Sequence, residues 1–176
     1  DAKPPVERIR LASVRGREET QLLVGRLERL FSIPVEQART AKQTGVIANS
    51  YSQPENMGVD RWSAIVAAAE MLKNHAAVDG DVLQRLCCVV NAGTALTLDL
   101  VGRDGVHAGG YILPGYGLQV QSLLSQTGRV FVENDDVQNN LQPADNTSAA
   151  VKAGVLKSLV SMINASVHDF AGAEEV

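Results

Sequence analysis

Two hydrophobic periods alternate along the chain, one of about two residues and one of 3.6, and together they divide it into short strands and longer helices. Pro4-Pro5 gives a stiff, non-helical lead-in, after which Ile9, Leu11 and Val14 form a short strand-like run. Over residues 18–31, Leu23, Leu27, Leu30 and Phe31 recur at helical spacing with charges between them. That spacing predicts an amphipathic helix ending before Pro34. A strand feeding a helix is how an α/β layer structure begins. Residues 41–57 are polar, carry Gly45 and Pro54, and predict a loop that runs up to Gly58. From about Asp60 to Asn74 or His75, the residues Trp62, Ile65, Val66, Ala69 and Leu72 supply the apolar face of a second helix. Residues 75–84 read as an irregular surface insert.

The strongest strand signal covers residues 86–101. Leu-Cys-Cys-Val-Val and the run from Thr94 to Val101 flank a small break at Asn91-Ala92-Gly93, which predicts a β-hairpin. Arg103-Asp104-Gly105 marks a second turn, Gly109 to Gly115 a strand bounded by glycines, and residues 118–125 a helix. Residues 132–146 are an acidic, polar loop whose last member, Asn146, is a fitting N-cap for the final helix. There, Val151, Val155, Leu159, Ile163 and Val167 repeat every four residues, and Leu156, Val160 and Phe170 widen the stripe. A stripe that broad is core and leaves room for a subunit interface.

Composition narrows the class. The chain has 176 residues, 45 % of them hydrophobic, which is enough for one packed domain. With a net charge of −4, few aromatics and no basic grouping beyond Arg15 and Arg17, nothing marks a nucleic-acid footprint. No uninterrupted apolar run approaches the roughly 18 residues needed to span a bilayer. The opening Asp-Ala-Lys-Pro-Pro has neither the apolar segment of a signal peptide nor an initiator methionine, so we expect a chain that is processed, excised or incompletely described. The two cysteines, Cys87 and Cys88, are neighbours in an apolar run and project to opposite faces of a strand, so they are poorly placed to bond each other. Both are expected to be buried reduced thiols of a cytoplasmic protein. His75, His107 and His168 show no metal-ligand spacing and are expected in loops or at the surface.

Three clusters carry candidate chemistry. In Tyr51-x-x-Pro54-x-x-Met57-Gly58-Val59-Asp60-Arg61-Trp62, a carboxylate, a guanidinium and free backbone amides meet at a helix start, which favours anions. Arg61 can clamp a carboxylate and Asp60 can take a hydroxyl proton; equally, Asp60 is an N-cap and Arg61 a surface charge. In Asn91-Ala92-Gly93-Thr94-Ala95, the turn exposes backbone N–H groups beside a hydroxyl, a phosphate cradle without a Walker motif, or an ordinary hairpin turn. Asp99 sits within the apolar strand that follows, where a carboxylate must be paired, exposed or part of a site. The third cluster, Gly109-Gly110-x-Ile112-x-Pro114-Gly115, permits close backbone approach or simply makes turns.

Taken together and in this order, the clusters resemble the type III pantothenate kinases, over about residues 9–165. That family carries Gly-x-Asp-Arg-Trp after a Tyr and a Pro, then an Asp-x-Gly-Thr-Ala hairpin, then Gly-Gly-x-Ile-x-Pro-Gly. The resemblance implies an α/β fold of the actin-like, Hsp70-like, sugar-kinase-like group, with two ribonuclease H-like domains. Residues 1–85 would be the remainder of the first domain with a linking helix, and residues 86–176 the second domain. It implies transfer of the ATP γ-phosphoryl group to the 4′-hydroxyl of pantothenate, in a cytoplasmic homodimer that uses magnesium and a monovalent cation, potassium or ammonium. By the same resemblance Asp60 is the proton acceptor; Tyr51, Gly58, Val59, Asp60, Arg61 and Thr147 bind pantothenate; Gly93 and Thr94 face ATP; and Asn91 stands at the cation position.

The sequence departs from the family in three places. The family's N-terminal Asp-x-Gly-Asn-Thr hairpin and its C-terminal Gly-Gly segment have no counterpart in these residues, and Asn91 stands where the family has an aspartate. An amide keeps an oxygen ligand but loses the charge. The isolated polypeptide is therefore expected to be a poor kinase or an inactive one. The alternative is a non-catalytic relative acting as a regulatory accessory factor or metabolite-binding module.

Overall fold

The computed structural model describes residues 6–75, 85–126 and 141–173, which form two compact units. The predicted insert after His75 and most of the acidic loop before Asn146 lie outside the described residues.

The first unit is built from the N-terminal half and takes back residues 105–107. Strand β1 (Ile9–Leu11), helix α1 (Arg17–Phe31) and strand β2 (Val35–Gln37) form a strand–helix–strand unit with the two strands parallel, Arg10 opposite Glu36. Arg8 Nε donates to Glu36 at 2.6 Å and Arg10 Nε at 3.4 Å. The bond from Arg8 holds the Glu36 carboxyl below its ordinary value, but all three groups are solvated and the pairs add little stability. Val14 lies outside β1 and is exposed. β2, short and polar, was not foreseen. In α1 the buried position is Val24, whereas Leu23, Leu30 and Phe31 are exposed, so the helix is rotated from the expected stripe.

The segment expected to be a loop contains an antiparallel pair, β3 (Gln43–Thr44) and β4 (Ile47–Ala48), and a 3-10 turn at Pro54–Asn56. Ile47, Asn49 and Met57 within it are buried. Ala48 is tied to the returning segment by a parallel bridge to Val106 and a bond from its N–H to the Gly105 carbonyl (3.1 Å). Helix α2 (Val59–His75) follows, with Trp62, Ile65 and Ala69 buried as its spacing predicts. His107 is fully buried, correcting the expectation of a surface or loop histidine.

The second unit holds a three-stranded sheet in the order β5-β6-β7, from β5 (Cys87–Ala92), β6 (Ala95–Val101) and β7 (His107–Pro114). The predicted hairpin is present: β5 and β6 pair antiparallel from Cys87–Val101 to Ala92–Leu96 around a turn at Gly93-Thr94. In β5, which lies at the end of this sheet among the described residues, successive side chains point to opposite faces: Cys87 is buried, and Cys88 is exposed rather than buried as expected. Burial pushes the Cys87 thiol above its ordinary value, so it stays protonated.

Helices α3 (Tyr116–Gln126) and α4 (Thr147–Ala173) pack on each other and on β6. Leu96, Val155 and Leu159 form the core of this unit, flanked by Leu113, Tyr116 and Val120. The four-residue repeat of the final helix thus finds its partner, while Val167 stays exposed. By length and composition alone α4 could also cross a membrane, but Val155 and Leu159 are spent on this core. Asn146 caps α4 as predicted, its Oδ1 accepting the Ala149 N–H at 2.9 Å. β7 ends against the hairpin turn: Gly115 N–H donates to the Thr94 carbonyl (2.7 Å), and a Cβ at Gly115 would land on the Gly93 and Thr94 carbonyls.

Two stability changes follow from these contacts. Gly115→Ala should lower the unfolding free energy by about 1–3 kcal/mol in urea titration, because the turn must shift to admit the methyl group; an unchanged midpoint would contradict the close approach. Asn146→Ala should cost about 1 kcal/mol through loss of the cap, read as a lower urea midpoint with the m-value retained.

Candidate functional site

The residues singled out in the sequence fall into two groups, one in each unit. In the first unit the decisive local event is the start of α2. The Gly58 carbonyl accepts the first helical bond from Trp62 N–H at 3.1 Å, so Gly58, and not Asp60, occupies the capping position. The Asp60 carboxylate folds back over the helix start into the space that glycine leaves, where a Cβ at position 58 would lie 2.5 Å from Asp60 Oδ1 and turn that exposed side chain aside. Asp60 is exposed at the second position of the helix, where the N-terminal amides favour a carboxylate.

Arg61 turns the other way. It is 5 % exposed, and its Nη1 donates to the Tyr51 hydroxyl at 3.3 Å. The structure thus brings Tyr51 and Arg61 together across ten positions of sequence, with Gly58, Val59 and Asp60 on the same helical turn. A guanidinium and a phenol side by side can recognise a carboxylate or hydroxyl group. The exposed Asp60 adds a proton acceptor at the rim.

Several buried or half-buried groups behind this turn escaped the sequence reading. Asn49 and His107 are 1 % and 0 % exposed. Asn49 bonds the Tyr51 N–H, and Ser50 Oγ lies 3.1 Å from His107 Nδ1. Only the Asn-Ser-Tyr run beside the flagged tyrosine hinted at the first; nothing local pointed to His107, which arrives from 57 positions away.

In the second unit, Gly93 and Thr94 are exposed at the tip of the β5–β6 hairpin. Asn91 and Thr97 face each other across the two strands, with Asn91 Nδ2 3.4 Å from Thr97 Oγ1. Asp99, on the same side of β6, is fully buried and has an interaction partner, which removes the exposed option among those open from sequence. Among the described residues no three His, Cys, Asp or Glu side chains gather as metal ligands. With its amide nitrogen on Thr97, Asn91 offers a single neutral oxygen, and that does not by itself fit a cation centre. Thr147 is exposed at the first turn of α4, at the edge of an open groove of about 800 Å³ between α3 and α4 that is also lined by Gln119, Leu123 and Asp145.

Comparison with known proteins gives this geometry a family. Residues 1–169 match the model of the type III pantothenate kinases. A type III pantothenate kinase of Pseudomonas aeruginosa PAO1 is 39 % identical over 158 residues, covering 88 % of this chain and 59 % of that protein. One from Nitrosococcus oceani is 35 % identical over 167 residues, covering 94 % of this chain and 60 % of the relative. This chain therefore spans about three fifths of the length of such relatives. Among solved structures, a conserved putative Baf family transcriptional activator from Campylobacter jejuni superposes with a TM-score of 0.57 at 21 % identity, over 93 % of this chain and 64 % of that one. At that identity the likeness concerns the fold alone. The matched model and the two relatives establish that this chain belongs to the type III pantothenate kinase family.

Proposed function

We propose that the full-length protein transfers the γ-phosphoryl group of ATP to the 4′-hydroxyl of pantothenate, the entry step of coenzyme A synthesis, in the cytoplasm and as a homodimer. The observation that carries this reading is the pairing of Arg61 with Tyr51 beside Asp60, in a chain of this family. In the same proposal residues 86–176 are the second ribonuclease H-like domain of an actin-like ATPase fold, and residues 1–85 belong to the first domain and a linking helix.

Pantothenate carries a carboxylate at one end and the reacting hydroxyl at the other. Arg61 and Tyr51 hold the carboxylate, while Gly58 and Val59 let the backbone of the helix start approach the substrate. Asp60, projecting from the same turn in a different direction, takes the hydroxyl proton as the oxygen attacks the γ-phosphorus. The new oxygen–phosphorus bond forms as the bond to the β,γ-bridging oxygen breaks, and ADP leaves. Phosphoryl transfer needs little more from the protein than alignment and charge neutralisation. The turn offers ATP, which would carry magnesium, the Thr94 hydroxyl and the close approach that Gly93 permits, the Gly93 N–H itself being held by the Ala95 carbonyl at 2.9 Å. Thr147, at its groove, contacts pantothenate near the subunit interface.

The full-length protein should form 4′-phosphopantothenate from ATP and pantothenate in a radiometric assay; absence of product under saturating ATP, pantothenate, magnesium and potassium would contradict the proposal. Asp60→Ala should lower kcat by about 10²–10⁴-fold. Pantothenate affinity measured by calorimetry should stay within a few-fold, since the proton acceptor acts in the transition state. Equal losses of binding and turnover would remove Asp60 from the acceptor role.

A further inference from the structure

We propose that Asn49 and Lys42 are positioning residues for substrate binding, forming a clamp that fixes the Tyr51 hydroxyl against the Arg61 guanidinium. This rests on the proposed pantothenate site for its substrate, but the clamp itself is a matter of geometry within the first unit.

Between the half-buried Tyr51 and the buried Met57, residues 52–56 make a largely exposed excursion, and its two ends must be held at a fixed separation if Tyr51 is to reach Arg61. Asn49 spans that gap. Its Oδ1 accepts the Tyr51 N–H at 2.9 Å, and its Nδ2 lies 3.6 Å from Met57 Sδ. The side chain is 1 % exposed, so these bonds form away from competing water, where an amide must find partners. One amide thus joins the residue that opens the excursion to the residue that precedes Gly58.

Lys42 reinforces the first end. Its Nζ donates to the Asn49 carbonyl at 2.7 Å and to the Tyr51 carbonyl at 3.1 Å. A charged donor shared between two carbonyls fixes the backbone through the Asn49–Tyr51 turn. Thr40 reinforces the second end, its hydroxyl donating to the Met57 carbonyl at 2.8 Å. His107 backs the ring of Tyr51, with ring centroids 6.1 Å apart and planes tilted by 39°.

None of the side chains of Thr40, Lys42 and Asn49 contacts Arg61 directly in these bonds; they act through Tyr51 and the Met57–Gly58 backbone. A tyrosine freed from this frame keeps its chemistry but samples many orientations, and the substrate then bears the cost of ordering it. The consequence falls on ground-state binding rather than on the chemical step. It should therefore appear in KM for pantothenate and leave kcat and the KM for ATP in place.

The test compares Asn49→Ala, Asn49→Asp and Lys42→Met in the full-length protein, by steady-state kinetics and by ligand-free crystal structures. Lys42 is exposed, so Lys42→Met should fold normally even if the buried change does not. Asn49→Ala should raise KM for pantothenate roughly tenfold, and Lys42→Met by a few-fold, with kcat within about twofold of the parent. Asn49→Asp, which keeps the acceptor for Tyr51 N–H, should recover part of the Asn49→Ala loss. The crystal structures should show the Tyr51 hydroxyl beyond hydrogen-bond reach of Arg61 in Asn49→Ala. An undisturbed Tyr51–Arg61 bond in both Asn49→Ala and Lys42→Met overturns the clamp, whatever the substrate proves to be. If the parent does not phosphorylate pantothenate, the functional reading falls while the crystal structures still decide the clamp.

Discussion

A guanidinium removed from water is tolerable only when its donors are met by well-placed acceptors, and the first unit satisfies this at Arg61. The bond from Arg61 to the Tyr51 hydroxyl is the pivot. It joins the first turn of α2 to a segment ten residues earlier, and the short β3–β4 pair, the 3-10 turn and the returning Gly105–His107 strip all converge on holding that segment. Two-residue strands carry almost no stability of their own. Here they serve as the backing that lets a phenol and a buried charge share one position.

Placement at the helix start separates two tasks that neighbouring residues would otherwise share. Successive side chains on a helix point about 100° apart, so Asp60 and Arg61 diverge although they are adjacent. Asp60 stays in water, folded over a glycine that leaves it room, whereas Arg61 goes inward to Tyr51. A substrate with an acid at one end and a hydroxyl at the other suits a site in which the guanidinium and the proton acceptor face different directions. In the second unit close backbone approach plays the comparable part, since Gly115 lets the end of β7 press on the hairpin turn that carries Gly93 and Thr94.

What could be read in the sequence was local. The hairpin from Cys87 to Val101, the helix from Val59, the Asn146 cap and the repeat through Val155 and Leu159 all depend on neighbours within a few residues, and all are present. The features that escaped depend on distant partners. β2 is three residues of Val-Glu-Gln, defined only by its pairing with β1. The burial of Asn49 and His107 is set by chain segments far apart in sequence, and polar residues give no periodic signal of it. In α1 several leucines compete for the inward position, and tertiary packing chose Val24. Cys88 is exposed on the uncovered side of β5, the end strand of this sheet among the described residues, and what covers each face is a property the apolar run itself cannot express. The chemical motifs were legible as clusters, yet that Tyr51 reaches Arg61 required the fold.

In the proposed reaction this helix start is where pantothenate is held for phosphorylation. The most direct measurement is a crystal structure of the full-length protein with pantothenate bound. The substrate carboxylate should lie on Arg61 and Tyr51, with the 4′-hydroxyl about 2.6–3.2 Å from an Asp60 carboxylate oxygen. Pantothenate bound elsewhere, or with its hydroxyl turned away from Asp60 and its carboxylate off Arg61, would contradict it.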